Sequence, residues 1–228
     1  AEICSHTVAT YSSLPVLRAR HSVALRGAEG VSVVDYADGS LTQAPHPSRH
    51  GVRVFSVSQE LGAPFTQSRE AIAERRAFID AACSNFGVSS LRQLPDASGR
   101  AVQWVEARRA AGDSNAPEPE AARRWVTFCE SETLRSLAAA KALRSRRANE
   151  LFTLLNSPSE VHDLASPDAL VTLARKRGAV AARPAAIGTS DAVIAFVPVQ
   201  EADSFAAAMA REFEVVEVAA GEPARLEG

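Results

Sequence analysis

Four short apolar runs constrain the fold of this chain more than any other feature. The first, residues 52–58, sets Val52, Val54 and Val57 in a stretch rich in β-branched residues, which fit a pleated, packed surface better than a helix. Three more close the chain at 180–186, 192–199 and 213–219, with a helical stretch at 201–212 between the last two. Strand, long helical insertion, two strands, helix and strand specify an α+β fold: a four-stranded antiparallel, ferredoxin-like sheet with helices on one face.

Periodicity near 3.6 residues predicts the inserted helices at 68–85, 99–111, 118–144 and 147–156. Residues 113–119 form a loop, and a further helix opens after Pro167 and ends near Gly178. Alanine-rich stretches such as 137–142 favour helix because alanine has least to lose on ordering. Upstream, residues 1–11 read as the end of a helix and residues 30–36 as a strand with alternating Val31 and Val33. Asp38-Gly39 reads as a hairpin turn. Pro45, Pro47 and Gly51 mark residues 43–51 as a boundary, so the expected organisation is the tail of one domain at 1–50 and a second domain at 51–228.

Composition narrows the class of partner. With 46% hydrophobic residues, 23% charged residues and a net charge of -2, the chain has no bulk attraction for nucleic acid or membrane. Arg123, Arg124, Arg144, Arg146 and Arg147 fall on helices, where arginine runs are ordinarily solvated faces. Cys4, Cys83 and Cys129 are odd in number and far apart. They suit neither a disulfide framework nor a zinc site and read as buried thiols of a cytoplasmic protein. His6, His46, His50 and His162 share no metal-ligand spacing, and no nucleophile motif is present, so no metal site is expected. No apolar run approaches the ~20 residues a membrane helix needs, and no signal pattern opens the chain, which begins without methionine as though in mid-protein.

Several segments follow one another in the order they take in one known family. Pro15-Val16-Leu17-Arg18-Ala19-Arg20-His21 lies where that family carries Pro-Cys-Gly-Ile-Met-Asp-Gln. Ile72-Ala73-Glu74-Arg75-Arg76 is similar to its Tyr-Asn-Glu-Arg-Arg, and Ser90-Leu91-Arg92 to a Ser-Leu-Arg. Residues 124–134, 151–156 and 166–171 continue the match in order, and 182–198 resembles the strand, loop and strand that close its nucleotide site. The chain thus resembles the C-terminal part of a galactokinase, a member of the GHMP sugar kinases.

That resemblance implies a GHMP C-terminal domain, ATP and magnesium as cofactors, a galactose-like sugar as partner and a missing N-terminal kinase half. It also exposes what has changed. Phosphoryl transfer needs phosphate-cradling N–H groups, a cation and a group that positions the attacking hydroxyl. Arg20 stands at the family's aspartate; a guanidinium has no acceptor, so no catalytic residue is assigned, and Arg20-His21 reads otherwise as a solvated loop. The family's Gly-Ala-Gly-Phe-Gly-Gly is Ala186-Ile187-Gly188-Thr189-Ser190-Asp191 here. Gly188, Thr189 and Ser190 are the candidate nucleotide contacts, against the ordinary reading as a hairpin turn, and Asp191 would repel a phosphate. Ile72 and Ala73 replace a tyrosine and an amide that could face a sugar. Two functions follow: a galactokinase-like kinase fragment or paralogue, or a non-catalytic sugar- or protein-binding regulator.

Overall fold

The computed structural model describes residues 18–35, 39–59, 69–159 and 164–221. The chain runs α1 (Arg18–Arg26), β1 (Val31–Val34), β2 (Leu41–Ala44), a 3-10 turn (Pro47–His50) and β3 (Val52–Ser58). The helical insertion follows: α2 (Arg69–Phe86), a second 3-10 turn (Leu91–Gln93), α3 (Ala97–Ala110), α4 (Pro119–Arg144), α5 (Ala148–Asn156) and α6 (Asp168–Lys176). Last come β4 (Ala181–Pro184), β5 (Val193–Pro198), α7 (Ala202–Met209) and β6 (Glu214–Glu217). Local chemistry sets the helix starts. Pro119 opens α4 with Glu120 in its first turn and Lys141 and Arg144 in its last, matching the helix dipole. Asp96, at φ +52°, caps α3 by accepting from the Gly99 N–H.

The four late strands form one antiparallel sheet in the order β4-β5-β3-β6, the order of the ferredoxin-like β-α-β-β-α-β pattern. On one face Phe55, Val57, Ala182, Val193, Ala195 and Val197 pack against Leu170 and Ala174 of α6 and Ala202, Phe205 and Met209 of α7; the Phe55 and Phe205 rings lie 5.6 Å apart. Helical cover is not confined to that face. Val52, Val54, Ala181 and Phe196, on the other, meet Phe152 and Leu155 of α5. The expectation of one covered face fails because β3 has no polar side: five of its seven residues are buried, on both faces, as in strands buried between two layers.

The N-terminal hairpin pairs β1 with β2 from Val31↔Ala44 to Val34↔Leu41, and Gly39 takes φ +68° in its turn. Asp38 and residues 1–11 lie outside the described residues. The stretch 43–51 expected as a boundary holds the end of β2 and the 3-10 turn. Ala44 is buried beside Ala142, Leu143 and Leu151. Arg144 donates to the Gln43 carbonyl and Thr42 hydroxyl, each at 3.0 Å, so this arginine clamps the hairpin to α4.

A second core joins α2, α3 and α4 around Phe78, Ala101, Val105, Trp125 and Val126. The ring of Phe78 lies 5.8 Å from Trp104 and 5.4 Å from Trp125. Among the described residues no helix is long and apolar enough to cross a membrane.

Candidate functional site

Where the helical core meets the β4–β5 loop, packing is incomplete and leaves a groove of about 1160 Å³. Helix α2 lines it with Ile72, Arg75, Arg76, Ile79 and Cys83, residues three and four apart that share one face. Helix α4 supplies Trp125, Phe128 and Cys129. Ser90 and Arg92 close one end, Ile187 and Thr189 the other. Arg92 is held by Asp35 at 2.7 Å, tying that rim to the end of β1.

The loop is built by internal hydrogen bonds. The Ala186 carbonyl accepts from the Thr189 and Ser190 N–H groups, each at 3.1 Å, and from the Thr189 hydroxyl at 3.2 Å. Gly188 donates its N–H to Ala165 O at 3.0 Å, and the Ala192 N–H goes to Ser190 Oγ at 3.1 Å. Gly188 sits at φ +75°, and a Cβ placed there would meet Ile72 Cδ1 at 3.0 Å and Leu164 Cδ1 at 3.3 Å. Two segments that the sequence singles out separately, Ile72 and the Gly188 loop, are therefore in contact. Ala73 is exposed. Asp191 accepts from the Gln59 N–H at 3.0 Å through one carboxylate oxygen. Arg20 lies in α1.

The groove wall carries groups that sequence reasoning missed. Trp125 is only 7% exposed, its indole N–H has no acceptor among the described residues, and the Arg75 guanidinium stands 5.7 Å over its ring. Cys83 and Cys129, expected to be buried, are half-buried free thiols. Burial pushes both thiols up, Cys129 to about 11, so they are protonated and weak nucleophiles. Burial, with Asp96 nearby, raises the Glu130 carboxyl. The four-residue step from Trp125 to Cys129 is a one-face signal, but spacing alone cannot tell a groove wall from a core stripe.

Below the loop, Glu132 joins three elements. It accepts from Arg135 of its own helix, from Arg183 of β4 at 3.0 Å and from the Ser159 hydroxyl at 2.8 Å. Desolvation pulls Arg183 below its ordinary range, and the Glu132 carboxylate opposes that shift. Of the histidines, His46 caps the first 3-10 turn by accepting from the Ser48 N–H, and His6 and His162 lie outside the described residues, as does Cys4. No group of three His, Cys, Asp or Glu side chains placed to hold a metal occurs among the described residues.

No family model matches this chain, and no curated protein matches it by sequence. Among solved structures, the galactokinase of Lactococcus lactis, crystallised with galactose, superimposes over 86% of this chain with a TM-score of 0.61 at 17% identity. This chain has a galactokinase-like fold. It spans about half of that protein, 52% of its length. At that identity the likeness is one of fold.

Proposed function

We propose that this chain is the C-terminal domain of a galactokinase-like protein, preceded by the tail of an N-terminal domain, whose groove holds a galactose-like sugar without phosphorylating it. The single observation behind this reading is the closed hydrogen-bond economy of the loop at 186–192. The resemblance implies a nucleoside triphosphate with magnesium, and the loop does not suit one. A phosphate cradle needs several backbone N–H groups free and convergent. Here those of Gly188, Thr189, Ser190 and Ala192 are all committed within the protein. The glycine's open side is filled by Ile72 and Leu164, and Asp191 adds negative charge beside it. Arg20 supplies no carboxylate to take a sugar proton.

Sugar binding fits the groove better. Apolar walls at Ile72, Ile79 and Trp125 can face the C–H side of a pyranose, while Asp80, Ser90, Thr127 and Glu130 supply donors and acceptors for hydroxyls.

NMR titration of the intact chain separates the readings. Galactose is expected to shift resonances of Ile72, Trp125 and Thr189, and Mg-ATP to leave them in place up to about 1 mM, a binding free energy weaker than ~4 kcal/mol. Micromolar Mg-ATP binding lost on Gly188→Val would restore the nucleotide site. No response to galactose would remove the sugar from this reading.

A further inference from the structure

The two edges of the four-stranded sheet are finished differently. Along β4 the outward N–H groups and one outward carbonyl are accounted for. Asn156 donates from its side-chain amide to Val180 O at 2.9 Å and accepts from the Ala182 N–H at 3.3 Å, and Pro184 has no N–H to offer. At the other edge, β6 sits on β3 with Ser56 opposite Val216 and the Val218 N–H bonded to Val54 O at 2.8 Å. Antiparallel strands alternate the direction of their backbone groups, so the N–H and C=O of Val215 and Glu217 point away from β3. No strand lies on that side among the described residues.

Two further features mark this edge. Val216 and Val218, on one face of β6, are 43% and 38% exposed. Acidic residues usually keep an edge from pairing, but Glu217 is held by Arg53 through two bonds at 2.7 and 2.5 Å, and Arg53 also reaches Asp203 at 2.6 Å.

We propose that β6 pairs antiparallel with β6 of a second copy of this chain, joining the two sheets into one across a two-fold axis at Val216. The register follows from the backbone, because outward-facing residues must meet outward-facing residues. Centring on Val216 sets Val215 against Glu217 of the other copy, Glu214 against Val218, and Val216 against itself. No glutamate then faces a glutamate, and the exposed Val216 covers its own counterpart. Centring one outward residue later would oppose Glu217 to Glu217, and one earlier would pair Glu214 with Val216 and leave Val218 beyond the overlap.

Sedimentation of the intact chain from about 10 µM to about 1 mM is expected to show a concentration-dependent dimer. Under mild oxidation Val216→Cys is expected to form a covalent dimer at least about ten-fold faster than Glu214→Cys, because the first pair faces directly and the second lies ~14 Å apart along the strands. Val215→Pro removes the outward N–H and leaves the ladder to β3, while giving up part of the packing of Val215 on the sheet core; it is expected to give a monomer with an unchanged circular dichroism spectrum. If that variant does not fold, Val216→Lys gives the same reading from the side-chain surface. A monomer throughout the concentration range overturns the proposal. So does equal cross-linking at positions 216 and 214, or a folded Val215→Pro variant that still dimerises.

Discussion

The sheet core and the helical core are built from similar residues and close very differently. Between β3, β5, α6 and α7 the side chains of Phe55, Val57, Val193, Val197, Phe205 and Met209 are all at most 2% exposed. Between α2, α3 and α4 the large rings of Phe78 and Trp125 remain slightly open, Phe86 and Trp104 are half-buried, and the space runs out into the groove beside Cys83 and Cys129. A sheet fixes its neighbours through a continuous ladder and packs to completion. Helices meeting at an angle leave gaps unless their side chains fill them. The groove proposed as the sugar site falls on the side that stays open, as pockets generally do.

Truncation in the closed core should break the fold most. Phe205→Ala removes a ring that packs on Phe55 and is 1% exposed, and the expected loss in urea unfolding is about 3–5 kcal/mol. At the junction of the two regions, Gly188→Val places a β-branched side chain at φ +75° against Ile72, for an expected cost of about 2–3 kcal/mol. Adding Ile72→Ala should recover part of that cost, and strict additivity in the double-mutant cycle would mean that the two residues do not touch. At the β4 edge, Asn156→Ala leaves the Val180 carbonyl and Ala182 N–H without their partner, for about 1–2 kcal/mol by the same measurement.

The open side is tested more finely by pH. Burial raises Cys129 from an ordinary 9.0 to about 11, so the folded state prefers the thiol. Its contribution is intact below pH 9 and is lost as pH rises toward 11. Wild-type stability is expected to fall relative to Cys129→Ala across that window, and iodoacetamide at pH 8 should label Cys129 about 100-fold more slowly than a free thiol. A parallel pH profile for the two proteins would mean that the thiol is solvated. The smallest effect belongs to Trp125→Phe. Its indole N–H has no acceptor to lose among the described residues, but the smaller ring leaves part of a buried site beside Phe78 unfilled, so a loss of about 1 kcal/mol is expected, with galactose binding as the more sensitive readout.

How far the site was legible varies residue by residue. The Gly188 loop and Ile72 stand out in the amino-acid string because each departs from a pattern, but nothing in the string says that they touch. Trp125, Cys83 and Cys129 carried no sign of a shared groove, because lining a pocket is a relation between α2 and α4 rather than a property of either helix. Donors are less legible still: whether the Gly188 N–H is free for a phosphate depends on the carbonyl of Ala165, supplied by a separate stretch of chain.

Local chemistry by itself determined the strands and helices. The run of valines predicted at 52–58 is β3 at Val52–Ser58, and the predicted helix at 118–144 is α4 at Pro119–Arg144, because strand and helix periods and a proline start act within a few residues. The four antiparallel strands also followed from the order of elements, which leaves few ways to bury their apolar sides. Tertiary structure alone decided that α5 covers the second face of the sheet, that Asn156 bonds along one edge while no strand among the described residues covers β6, and that the loop spends its donors internally. Each of these depends on which groups from distant segments reach one another, and a hydrogen bond or a buried face has no energy until both partners are in place.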